Sequence, residues 1–183
     1  MQRTLMVNDQ AISYRISGNG SPVMLVHRFG EDSRVWEKQE AVLEKKFQLI
    51  IPDLPGSGES VATEDMSMEG MARVLKAVLD DAGIDSCIMV GHSMGGYITL
   101  AFAEMFPKRL KAFGLFHSTA YADNEEKKTA RRRGIEFIHE QGPEKFLEQS
   151  TRNLFSEEFR KKNPAEVQDF IDRFTNFPAQ SLV

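Results

Sequence analysis

Apolar residues follow two rhythms along the first part of this chain. Val23-Met24-Leu25-Val26, Gln48 to Ile51, Cys87-Ile88-Met89-Val90 and Leu110 to His117 are short, mostly apolar runs. Runs of that length with little alternation read as strands buried on both faces of a parallel sheet. Between them the spacing changes to three and four. Met68, Met71, Val74, Leu75, Val78 and Leu79 recur at helical intervals between a capping Ser67 and a closing Gly83. Asp32 or Ser33 caps a further helix with Val35, Trp36, Val42 and Leu43 on its buried side, and Tyr97 to Phe106 forms another, stopped by Pro107. Thr4–Val7 and Ala11–Ser17 flank an Asn8-Asp9 turn and read as a hairpin. Strands alternating with helices predict an α/β fold with a doubly wound, mostly parallel sheet of about six strands.

The texture changes after residue 121. From Asn124 onward the chain is helical and charged, with starts at Asn124, Pro143, Ser156 and Asn163-Pro164. Phe137, Ile138, Phe146, Leu147, Leu154, Phe155, Phe159, Phe170, Ile171, Phe174 and Phe177 supply its apolar faces. Lys127-Lys128 and Arg131-Arg132-Arg133 interleave with Glu125, Glu126, Glu136 and Glu140 at helical spacing, the pattern of a solvated face. The expected division is a core over 1–121 and a helical cap over 122–183.

Composition narrows the classes. The 183 residues are 41% hydrophobic, enough for a core, and carry a net charge of −4, with no basic excess to draw nucleic acid. The single Cys87 leaves no disulfide within the chain. No apolar segment follows the start as in a secretory leader, and no run is long enough for a bilayer, so a cytoplasmic protein without a membrane partner is expected. There is no HxxxH, HExxH or CxxC arrangement, so neither metal nor cofactor is expected.

The chemistry concentrates at Val90-Gly91-His92-Ser93-Met94-Gly95-Gly96. This is G-x-S-x-G in the context that gives it meaning, a buried strand before and a helix after. The glycines leave room for a sharp turn that sets Ser93 Oγ at the sheet's carboxyl edge. The Met94 N–H, at the new helix's N-terminus, then points at an anion forming beside the serine. The plainer reading is a Gly-rich strand–helix turn.

The chain resembles the N-terminal two-thirds of an α/β-hydrolase of the esterase, C–C hydrolase and lactonase type. Gly91-His92-Ser93-Met94-Gly95-Gly96 resembles that family's nucleophile motif. Val26-His27-Arg28-Phe29-Gly30 with Trp36 resembles its oxyanion loop, usually H-G-x-G, and Asp53-Leu54-Pro55-Gly56-Ser57-Gly58-Glu59-Ser60 its D-x-P-G-x-G-x-S loop. The resemblance implies Ser93 as nucleophile, the backbone N–H groups of Phe29 and Met94 as oxyanion hole, and a small, apolar, ester-like substrate shaped by the cap.

Two departures accompany it. Arg28 stands where the family has glycine, and either crowds the loop, is without effect, or lends a cation to a substrate carboxylate. The family's acid and base follow its seventh and eighth strands, whereas strands here count only to the sixth, so truncation and near-inactivity of this chain alone are expected. Of the four histidines, His27 belongs to the oxyanion loop, His92 diverges from its neighbour Ser93, and His139 lies on a surface helix. His117, at a strand end near the elbow and followed by Asp123, is a possible base, though in the wrong order for the family. With the last strands missing, Leu110–His117 becomes an open apolar edge, predicting a homo-oligomer or a complementing C-terminal segment. The alternative to a serine hydrolase is a non-catalytic, hydrolase-like protein that binds a ligand or partner.

Overall fold

The turn Asn8-Asp9, with φ of 48° and 64°, folds the chain back on itself between strands β1 (Gln2–Val7) and β2 (Gln10–Ser17). Two successive positive φ values match the right-handed twist of the strands they join. The computed structural model describes residues 1–175 and 177–183. The chain divides into two compact units, Met1–Ala120 and Tyr121–Val183.

In the first unit, β3 (Ser21–Val26), β4 (Phe47–Pro52), β5 (Cys87–His92) and β6 (Leu110–Phe116) complete a six-stranded sheet in the order β1-β2-β4-β3-β5-β6. β2 joins β4 antiparallel, and the four strands from β4 to β6 are parallel. β3 therefore lies between β4 and β5, where the winding reverses. Loops leaving the carboxyl ends of β3 and β5 emerge side by side at such a point. The register sets Val26 opposite Gly91, immediately before both loops. β6 is the outermost strand on its side, with Phe113 48% exposed.

Both sheet faces are buried. Met24, Val26, Ile50, Cys87 and Met89 pack with α2 (Met68–Asp81) and α3 (Met94–Met105) through Met71, Leu75, Val78, Ile98 and Phe102. Val23, Leu25, Leu49 and Ile51 alternate onto the other face, against Trp36. Ser67 Oγ caps α2 by accepting the Gly70 N–H at 3.0 Å, as its sequence predicts.

The first helix differs from expectation. Ser33–Trp36 is a 3-10 turn that runs into α1 (Glu37–Leu43), and Val42 is 65% exposed. Trp36 and Leu43, seven residues apart, pack on the sheet side, whereas Val42 lies about 100° round the helix from Leu43 and turns to solvent. Arg15 and Ser17 on β2 grip the segment through Glu40, and Arg15 also reaches Ser33 Oγ at 2.7 Å.

The second unit holds α4 (Glu125–Gln141), α5 (Pro143–Arg152), α6 (Glu157–Lys162) and α7 (Pro164–Phe174). Asn124 and Ser156 cap α4 and α6, and Pro143 and Pro164 open α5 and α7. Ile138, Leu147, Ile171 and Phe174 are buried, but Leu154 is exposed because the chain leaves α5 two residues earlier. The basic run of α4 is met by Glu125 on Lys128 and Asp123 on Arg131.

α3 packs closely on the end of β3. A Cβ on Gly95 would sit 2.6 Å from the carbonyl oxygens of both Val26 and His27. Backbone cannot yield as a side chain can, so Gly95→Ala should destabilise the protein by about 1–3 kcal/mol in urea unfolding. An unchanged midpoint would mean that α3 sits farther from β3 than described here.

Candidate active site

Ser93 occupies the step between β5 and α3 with φ 52° and ψ −113°, a conformation that L residues avoid. Its surroundings hold it there. The Ser93 N–H donates to the Phe116 carbonyl at 3.0 Å, and the Ser93 carbonyl accepts from Gly96 N–H at 2.9 Å and Ser118 Oγ at 2.8 Å. A Cβ on Gly91 would collide with the Gly95 carbonyl, so the turn closes only around glycine. Met94 is the first residue of α3, and the first N–H groups of a helix have no partner within it.

The loop after β3, which carries Arg28 and Phe29, is latched by a buried imidazole. The Leu54 N–H donates to His27 Nε2 at 2.9 Å, so the ring's proton is on Nδ1, which donates to the Arg28 carbonyl at 2.7 Å. Burial lowers the pKa of His27 and keeps the ring neutral. Asp53 anchors the same region, its carboxylate accepting the N–H groups of Ser33 at 2.8 Å and Glu59 at 3.0 Å. Ser60 Oγ closes the loop on the Asp53 carbonyl at 2.8 Å. The Asp-Pro-Gly motif thus fixes the site's walls, a role that sequence reasoning left unassigned although the motif itself was visible.

Arg28 does not strain the loop, because the positive φ falls on Gly30, at 68°, and not on the arginine. Its side chain turns inward and is 8% exposed. Nε donates to the Phe29 carbonyl at 3.1 Å, and Nη1 lies 3.5 Å from Glu31 Oε1. Glu31, 2% exposed, places its other oxygen 3.8 Å from His92 Nδ1. Among the described residues, Arg28 Nη1, Glu31 Oε2 and Trp36 Nε1 are buried and find no hydrogen-bond partner. Each such orphan costs about 1–3 kcal/mol. Burial raises the pKa of Glu31 to about 7 despite Arg28, and burial, then Arg28, lowers that of His92 to about 4. His92 is therefore neutral at neutral pH, and its contact with Glu31 is not an ion pair. The Arg28–Glu31–His92 cluster was not anticipated. The pairing Arg28 and Glu31, three apart on a loop expected to carry glycine, was the available signal.

His117 leaves β6 with φ 45° and is exposed, its ring centroid 6.3 Å from that of His92. Among the described residues no hydrogen bond joins Ser93 Oγ to a histidine. Asp123 is bonded at 2.5 Å to Arg131 Nε. His139 is exposed on α4, and burial pushes the Cys87 thiol up to about 11, leaving it unreactive. Among the described residues, no three His, Cys, Asp or Glu side chains are grouped to hold a metal ion, and no helix is long and apolar enough to cross a membrane.

Comparison with known proteins agrees with this architecture. The sequence model of the alpha/beta hydrolase fold family matches residues 21–163, and the chain belongs to that family. A thermophilic esterase from Thermogutta terrifontis superposes with a TM-score of 0.87 at 28% identity, over 100% of this chain and 69% of its own. The enol-lactonase of Burkholderia xenovorans LB400 superposes equally well, at 0.87, over 98% of this chain and 70% of its own; at 22% identity it speaks for the fold alone. The 3-oxoadipate enol-lactonase 1 of Acinetobacter baylyi is 24% identical over 173 residues, 93% of this chain and 64% of its own. Lipase 1 of Psychrobacter immobilis is 37% identical over 123 residues, 64% of this chain and 38% of its own. The chain spans between 28% and 64% of the length of such curated relatives.

Two measurements test this description. Because the backbone at Ser93 is strained, Ser93→Gly should be more stable than Ser93→Ala by about 1 kcal/mol, read from urea midpoints. The reverse order would remove the strain. The second concerns pH. The fold prefers protonated Glu31, so that contribution is full below about pH 4.5 and is lost as pH rises through about 7. His92 acts oppositely: its contribution holds above pH 6.5 and is lost as pH falls towards 4. The two offset each other between pH 4.5 and 6.5. Glu31→Gln should expose the histidine alone, so its stability should drop by about 2 kcal/mol more than wild type from pH 7 to 4.5. Parallel pH profiles for the two proteins would show that Glu31 titrates normally.

Proposed function

We propose that Ser93 is the nucleophile of a serine hydrolase acting on small carboxylic esters or related carbonyl compounds. The observation that carries this is the strained conformation of Ser93 between β5 and α3, held by two backbone hydrogen bonds, a third from Ser118 Oγ, and glycines that admit nothing larger. A fold stores such strain where it presents a reacting group. On this reading Ser93 Oγ attacks the carbonyl carbon, and the carbonyl π electrons move to oxygen. The oxyanion is held by the N–H groups of Phe29 and Met94, one on each of the two loops that emerge side by side. A base takes the Ser93 hydroxyl proton and passes it to the departing oxygen, so collapse expels the alcohol and leaves an acyl-enzyme on Ser93, which water then cleaves to a carboxylic acid and free serine. Loss of one oxyanion donor typically costs about 10²–10³ in rate. The esterase and lactonase relatives support carbonyl chemistry of this kind for the present chain.

The serine also needs a base. Among the described residues no histidine is bonded to Ser93 Oγ, and His117, exposed at the end of β6, is the candidate base within the same unit. A non-catalytic, ligand-binding protein is the second reading, favoured by that same missing contact and by the engagement of Asp123 with Arg131.

Intact-mass measurement after exposure to a fluorophosphonate separates the two. Labelling that disappears in Ser93→Ala supports the nucleophile; if it also disappears in His117→Ala, His117 is the base. No Ser93-dependent adduct after prolonged exposure would sink the serine-hydrolase reading for this chain.

A further inference from the structure

Arg28 is a buried cation with too few partners. Among the described residues, only Nε of its five N–H donors makes a hydrogen bond, to the Phe29 carbonyl. Nη1 is sealed from solvent with no partner, and its nearest carboxylate oxygen, on Glu31, is 3.5 Å away. A well-made guanidinium–carboxylate bond is about 2.7–2.9 Å. Trp36 Nε1 is a second buried donor without an acceptor, and its indole lies edge-on to His92, at 6.2 Å between ring centroids. These groups flank the elbow, since Arg28 adjoins Phe29 and His92 adjoins Ser93.

We propose that Arg28, with Glu31 and Trp36 beside it, is a seat for one singly charged carboxylate, carried by the substrate beside its reacting carbonyl or by a free carboxylic acid. The planar fork of a guanidinium matches the two oxygens of a carboxylate. Doubly charged anions are disfavoured, because Glu31 and Asp32 lie within the same loop. Neutral groups leave the cation uncompensated. As a substrate seat the proposal rests on Ser93 being the nucleophile, but carboxylate binding is measured without turnover, so the two ideas fail separately.

Glu31 makes the seat pH-dependent. The groups facing it are Arg28 and Asp32 on its own loop and His92 on the elbow. His27 and His117 act on His92 from beyond. Asp32 is held by Arg34 at 2.6 Å, and Asp53 by the Ser33 and Glu59 N–H groups. His27 and His92 are neutral at neutral pH, and of the groups in direct contact with Arg28 it is Glu31 whose charge changes near pH 7. Ionised, it competes for Arg28. Protonated, it releases the guanidinium and offers an O–H to the incoming carboxylate.

The test is calorimetric titration of the full chain with levulinate, which pairs a ketone with a carboxylate and cannot be hydrolysed, against levulinamide, its uncharged counterpart. Wild type should bind levulinate at least tenfold more tightly than the amide. Arg28→Gln should erase that preference, and Arg28→Lys, keeping charge without the fork, should retain part of it. Levulinate should bind at least threefold more tightly at pH 6 than at pH 8, and Glu31→Gln should flatten this. Levulinate binding tighter than acetate marks a substrate's own carboxylate, and equal binding marks a free acid. Equal affinity of wild type for levulinate and levulinamide, or a preference that survives Arg28→Gln, overturns the proposal. Should Arg28→Gln fail to fold, the wild-type and Arg28→Lys titrations still decide it.

Discussion

One imidazole ring holds two loops of this site in place. His27 accepts the Leu54 N–H with one nitrogen and donates to the Arg28 carbonyl with the other, in a position sealed from water. A neutral ring serves both bonds; a protonated one has no acceptor left for Leu54. The desolvation that keeps it neutral is therefore part of the latch. Around it the Asp53 carboxylate collects two further N–H groups and ties the 3-10 turn after β3 to the loop after β4. Hydrogen bonds of this kind fix the backbone on both sides of the strand ends.

The elbow depends on that rigidity. Ser93 pays an energetic penalty in its backbone, and the compensation lies in close contacts between α3 and β3 that only a residue without Cβ permits. Strain at one residue persists when its neighbours over-determine it. Here the neighbours are Phe116, Gly96 and Ser118, which hold the Ser93 peptide groups from both sides. The reversal of winding at β3 does the rest, because it sets the carboxyl ends of β3 and β5 side by side.

The parts of this arrangement written in local pattern were legible in the chain. Buried strands declare themselves as apolar runs, caps as Ser67, Asn124 and Ser156, and the elbow as glycines around Ser93. What escaped depends on phase and on distance. The inward side of α1 is set by Trp36 and Leu43, and a count of apolar residues does not tell that Val42, one position before Leu43, turns to solvent. The direction of Arg28 was undetermined for a different reason. A long side chain on a loop can point to water or inward, and the choice rests on Glu31 and His92, which meet it only once the sheet has formed.

The protein's single tryptophan lies in this cluster, with the rings of His92 and Phe116 each just over 6 Å from its own. Indole emission responds to the polarity and protonation of its immediate surroundings. Emission excited at the indole band therefore comes from one place, beside the oxyanion loop, and not from an average over the molecule. The chain thus carries a built-in optical reporter whose signal describes the site before it describes the fold.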